Sequence, residues 1–212
     1  MAIAFDAAAV NDASGITRTL SHTIGSITNG YLIGMAVAYR PGGLPTATAT
    51  WNGVSMTLLG THDRPGALLR LYFFGLAAPD TGTHDYVVTF SVTPDFTSQI
   101  AAMSYSGVQQ TDSTRTFTGA TGTGTSAAIN VPSDVGDLVV AMEDVDSGTD
   151  ATPDVSQTVR WTSVIPQKGS DAAGASPTAD LSWTWSGSHQ YLVGGISLKP
   201  AATDAPLLWM IA

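Results

Sequence analysis

An all-β fold is what this sequence predicts: an antiparallel β-sandwich, jelly-roll-like, with about a dozen strands and little or no helix. Three observations carry the prediction. Apolar and hydroxyl residues alternate with a period of two over many short segments, which marks half-buried antiparallel strands. Other segments are apolar on both faces and rich in β-branched and aromatic residues, as central strands are. Turn signals built on Gly, Pro and Asn separate the runs at short intervals.

The elements follow in order. Residues 16–24 put Ile16, Leu20 and Ile24 on one face and Thr17, Thr19, Ser21 and Thr23 on the other. Residues 31–39 are apolar on both faces, and so are 68–74, 100–105 and 138–142. Asn52-Gly53 lies between strand-like runs at 46–51 and 54–59 and predicts a type I′ hairpin, because that turn needs two residues with positive φ. Residues 85–92 bring Tyr86, Val88, Phe90 and Val92 to one face, and 181–186 alternate Trp183 and Trp185 with hydroxyls. Further turns are expected at 41–43, 64–66, 79–82 and Ser186-Gly187. The Gly/Thr-rich stretch 118–127 and the Ser/Asp/Pro/Gly-rich stretches 147–155 and 169–177 read as long loops. One sandwich domain is expected over 1–199, closing on 191–198, with a linker and apolar tail over 200–212.

Length and composition bound the rest. A chain of 212 residues suits one large all-β domain and buries about 70% of its unfolded surface without a staple. There is no cysteine, so neither a disulfide framework nor a thiolate metal site can form. Charged residues are only 12% of the chain, and Thr, Ser, Gly and Ala take their place. The net charge is −9 with two lysines, Lys168 and Lys199. Nucleic-acid binding needs clustered cations, so neither nucleic acid nor an anionic membrane surface is an expected partner. The N-terminus lacks the cationic and apolar regions of a secretory leader, and no apolar run approaches the ~20 residues of a membrane span.

Three stretches, taken in order, carry a resemblance: Thr50-Trp-Asn-Gly-Val-Ser-Met-Thr-Leu58, then Leu71-Tyr-Phe-Phe-Gly-Leu-Ala-Ala-Pro-Asp-Thr-Gly-Thr83 leading into 86–92, and Ala102-Met-Ser-Tyr-Ser-Gly-Val108. Together they resemble the β-sandwich, jelly-roll-like domains of tailed-bacteriophage structural proteins and of some bacterial surface proteins. The resemblance covers about residues 15–199. It implies a virion or surface module and carries over no functional residue.

Candidate chemistry is sparse. The histidines, His22, His62, His84 and His189, stand in no nucleophile-elbow or zinc-binding motif. They read as solvated or capped side chains. The acidic stretch 143–150 offers Asp144, Asp146 and Asp150 around Gly148 as a calcium candidate, since calcium takes several oxygens on a tight turn, although the spacing is not that of an EF-hand. Glu143 is the only glutamate, and nothing selects a second carboxylate to pair with it across a cleft. Tryptophans at period two read as core rather than as sugar platforms. The tail residues Pro206, Leu207, Leu208, Trp209, Met210 and Ile211 form an apolar run that docks on its own domain or on a neighbouring subunit.

The expected role is a non-enzymatic virion structural protein, capsid-decorating or tail-associated, with copies of itself and proteins such as the major capsid protein as partners. The alternative is a carbohydrate-binding or adhesin module at the cell surface, with glycans as ligands.

Overall fold

The computed structural model describes residues 1–64, 66, 69–95, 98–146, 149–165 and 167–202, and of Ser98 the backbone alone. The described chain is nearly all β. In chain order the strands are β1 (Ala4–Ala13), β2 (Thr17–Ile24), β3 (Tyr31–Tyr39), β4 (Ala47–Trp51), β5 (Val54–Ser55), β6 (Thr57–Arg64), β7 (Leu69–Ala77) and β8 (Gly82–Phe90). They continue with β9 (Ser98–Ser106), β10 (Thr118–Pro132), β11 (Leu138–Val145), β12 (Thr152–Pro153), β13 (Gln157–Thr162), β14 (Lys168–Ala173) and β15 (Thr178–Leu198). Among the described residues no helix is long and apolar enough to cross a membrane.

The first nine strands make two antiparallel sheets, ordered β1-β9-β3-β7-β6 and β2-β8-β4-β5. Strands pair from the ends of this segment inward: β1 with β9, β2 with β8, β3 with β7, β4 with β5. That is a long antiparallel ribbon rolled on itself, the connectivity of a jelly roll. The hairpin at its turning point is the one read from Asn52-Gly53: Trp51 pairs with Val54, and the two turn residues have φ of 47° and 78°.

A third sheet, β10-β15-β11-β14-β13 with β12 against β15, lies over the other face of the five-stranded sheet. The five-stranded sheet is therefore the middle of three layers. On one side Leu32, Ala36, Tyr72, Phe74 and Ile100 meet Leu20, Trp51, Tyr86, Val88 and Phe90. On the other, Ile33, Met35, Val37, Phe73 and Met103 meet Val140, Met142, Leu192 and Ile196. The period-two backbone turns successive side chains of one strand into different cores. That is why 31–39 is apolar along its whole length and 100–105 is apolar but for Ser104. β2 shows the opposite case: its hydroxyl face is exposed, while its inner face carries Arg18, Leu20, His22 and Ile24.

Three expectations need correction. Residues 118–127 are not a loop: they begin β10, which pairs with β15 from Thr118↔Gly195 to Gly124↔His189. Gly119 and Gly122 are where the strand slides under bulky rings. A Cβ at Gly119 would meet the His62 ring at 2.5 Å, and one at Gly122 the Tyr191 hydroxyl at 2.7 Å. Composition alone reads such a strand as a loop. Nor is Ser186-Gly187 a chain-reversing turn. There β15 bulges, residues 185–188 standing opposite the single Thr125, and pairing resumes at Ser126↔Thr184. Beyond the bulge the β10/β15 ribbon bends back over its own sheet. Ile129 and Val131 reach Gly195, and the Ser197 hydroxyl donates to the Pro132 carbonyl at 2.7 Å. The fold encloses a third core of Ile129, Val131, Val139, Leu181, Trp183 and Val193. The stretch 169–177 is likewise strand at its start, where β14 runs to Ala173.

Candidate functional site

The densest group of charges lies at the end of β11. Alternation sends Met142 and Asp144 towards the middle sheet, and Glu143 and Val145 into the third core. Two carboxylates adjacent in sequence thus face opposite ways and cannot act across one cleft.

Asp144 is buried, accepting from Arg64 Nη1 at 3.4 Å and from the Gln167 amide. Burial pushes its carboxyl up to about 6, while Arg64 and Gln167 pull it back and Asp146 pushes it further up. Arg64, at the end of β6, is buried too. It lines a shallow cavity of about 230 Å³ with Thr121, Gly122, Thr123 and Gln190.

Glu143 is fully buried, and among the described residues neither of its carboxyl oxygens has a hydrogen-bond partner. Burial, and then the Asp144 charge, drive its carboxyl well above the ordinary range. The Lys168 ammonium and backbone N–H draw it down without completing a hydrogen bond, and Asp150 raises it again. Lys168 is the cross-strand partner of Glu143. Its Nζ donates to the Ala151 carbonyl at 2.6 Å and stands 2.5 Å from Asp150 Oδ1. Asp146 pairs with His189 Nδ1 at 3.1 Å.

The calcium candidates Asp144, Asp146 and Asp150 are thus each paired with a different side chain, Arg64, His189 and Lys168. Among the described residues no group of three His, Cys, Asp or Glu side chains is arranged to hold a metal. The physical reason lies in β11, which runs on through Val145 and aims Asp144 between the sheets instead of into the loop. Gly148 and the tail residues Pro206, Leu207, Leu208, Trp209, Met210 and Ile211 lie outside the described residues.

A second polar group joins two layers. The Ser104 hydroxyl donates to Asp6 Oδ2 at 2.7 Å and lies 3.1 Å from His22 Nε2. Asp6 also accepts from the Gly25 N–H at 3.1 Å. The hydroxyl proton points at the carboxylate, so His22 is the donor to Ser104 and not the base that would activate it. Burial lowers the His22 pKa and the Asp6 charge raises it in part. The group is a polar clasp between β2 and the middle sheet. His22 is therefore buried, where its sequence context suggests a solvated or capped side chain, and His84 is half-buried and bonds the Thr81 carbonyl.

The outer face of the four-stranded sheet is hydroxyl-rich. Thr23 and Thr83 hydroxyls meet at 2.8 Å, and a shallow cavity of about 430 Å³ is lined by Ser21, Thr50, Asn52, Thr83, His84 and Asp85, among others. Trp183 and Trp185 are buried, as their period-two setting predicts, and Trp51 and Trp161, which the sequence places near turns, are buried too. Sequence reasoning missed Arg64, Gln167 and Lys168. The available signal was the scarcity of cations: with two lysines in the chain, one placed at a strand start in a hydroxyl-rich sequence has a specific contact to make.

No protein-family model matches the chain, and no curated protein matches it.

Proposed function

We infer that the protein is a non-enzymatic structural module that acts through protein–protein contacts, of the kind that decorates a capsid or sits in a virion tail. Its partners are copies of itself and other virion proteins such as the major capsid protein. The observation that carries this reading is the rolled β-ribbon backed by a third sheet. Jelly rolls recur in capsid proteins and lectins, where a rigid sandwich presents faces and loops to neighbours. This one commits its interior charges to ion pairs between strands, which stiffen the block, and turns a broad hydroxyl face outward. The acidic, lysine-poor surface keeps free copies apart until they assemble. The apolar run 206–211 is the segment that docks on a neighbouring copy.

The test is solution mass by light scattering on the full chain and on a chain lacking residues 204–212. The full chain is expected to exceed the 21.8 kDa of one copy, and the shortened chain to fall to it. Two monomers would overturn the reading. A lectin-like role is the second reading, supported by the polar cavity beside His84 and Asn52. Binding on a glycan array that is lost in Asn52→Ala would favour it instead.

A further inference from the structure

The pairing of Lys168 with Asp150 beside a buried, unsatisfied glutamate is chemically unusual. Most ion pairs of this chain have an evident structural use: Arg160 and Asp171 tie β13 to β14, and Arg115 holds Asp134 and Asp137. Lys168 differs in three ways. Its side chain is 14% exposed, so the ammonium has little water to solvate it. Its Nζ is pinned between a carbonyl, Ala151 O at 2.6 Å, and the carboxylate of the residue just before it, Asp150 Oδ1 at 2.5 Å. And the residue facing it across the β11–β14 ladder is Glu143, fully enclosed with both oxygens lacking a hydrogen-bond partner among the described residues. A fully buried carboxyl with no partner is costly to keep, and the fold places it beside an amine and a second carboxyl already in contact.

We propose that Lys168 and Asp150 are joined by an intramolecular amide, Nζ to Cγ, formed with Glu143 as the proton-carrying group. The reaction is a condensation and needs no oxidant, reductant or activating co-reactant. The ammonium of Lys168 first gives a proton to the Asp150 carboxylate, leaving a neutral amine beside a carboxylic acid. The Nζ lone pair attacks Cγ and the carbonyl π pair moves to oxygen. Glu143 hands its own proton to that oxygen and takes one from Nζ with its other oxygen. The C–O bond to the departing hydroxyl then breaks as that hydroxyl takes the proton of Glu143 and leaves as water, and the remaining hydroxyl returns its proton to Glu143 as the amide carbonyl reforms. Glu143 ends as it began. Glu143 is enclosed with no hydrogen-bond partner among the described residues, and burial raises its pKa well above the ordinary range, which favours the protonated form. Contact within the fold supplies the driving force that free amine and acid lack in water, since oriented groups react at effective concentrations of about 10⁵ M or more. The Asp150 side chain is 71% exposed, which gives the water a path out. The product ties the segment after β11 covalently to β14.

The experiment is intact mass spectrometry of the full chain under denaturing conditions, followed by tryptic digestion. The wild-type chain is expected one water lighter than its sequence. Trypsin should leave Lys168 uncut and release a branched species joining residues 116–160 to 161–212. Asp150→Ala, a change at an exposed side chain, should restore the full mass and cleavage at Lys168. Glu143→Gln should stay folded by circular dichroism and also keep the full mass. A wild-type chain at full mass would overturn the proposal, and so would loss of water without the branched peptide, which places the dehydration elsewhere. Bond formation undiminished in Glu143→Gln would remove Glu143 from the reaction.

Discussion

Replacing Asp144 by asparagine tests whether burial or the Arg64 partner governs the charge cluster at the end of β11. The two effects predict opposite signs. Removing one member of a buried ion pair ordinarily costs about 3–5 kcal/mol, because the other charge is left alone. Here the contact is a single Nη1–Oδ1 approach of 3.4 Å, not a bidentate fork, and burial outweighs it. The carboxyl is raised from 3.8 to about 6. Two pH units at ~1.4 kcal/mol each come to about 3 kcal/mol. For a carboxyl whose folded pKa is raised, the folded state holds a proton that the unfolded chain releases. The stabilising contribution is therefore full below 3.8, falls as pH rises towards about 6, and stays lost above it. The amide of Asp144→Asn never ionises and still offers an oxygen to Gln167 and Arg64. At about pH 4 the variant should match wild type, and at pH 7 it should be more stable by up to ~3 kcal/mol. For a chain of this length that is about 6–12 °C in melting temperature. Guanidinium unfolding at the two pH values measures the difference, to which relief of Glu143 from the Asp144 charge adds in the same direction. A variant destabilised by several kcal/mol at pH 7 would mean that the ion pair with Arg64, and not burial, governs the site.

Two further outcomes follow from the packing. Phe73→Ala opens a cavity in the core between the middle and third sheets, where the ring is fully buried against Phe117 at 5.3 Å; thermal unfolding should show a loss of about 3–5 kcal/mol. Gly119→Ala drives a methyl into the His62 ring close to its own backbone, so unfolding should show about 1–3 kcal/mol lost, and a neutral result would mean that β10 does not lie under β6 as described.

Much of the fold was legible because alternation is a local property. Thr17 to Thr23, Tyr86 to Phe90 and Leu181 to Trp185 report one buried face each, and the unbroken apolar run at 31–39 reports two. The doubly buried runs already imply more than one thin sandwich, and the third layer supplies the second cover. Asn52-Gly53 was legible for the same reason, since a I′ turn is encoded in two residues. What was not legible depends on partners distant in sequence. Gly119 and Gly122 look like loop residues until His62 and Tyr191 are placed over them. Residues 185–188 look like a turn until Thr125 is seen opposite. The acidic stretch 143–150 looked like one oxygen-rich loop. Strand pairing divides it between the two faces of β11 and gives its carboxylates to Arg64, Lys168 and His189, from three other strands. Nothing in the spacing of those residues specifies that distribution.

We propose that this β-block works by assembling with other proteins, itself first. Electron microscopy of the purified full chain tests it most directly. Closed symmetric particles or regular filaments are the predicted result, and a field of dispersed single copies of 21.8 kDa at every concentration examined would contradict it.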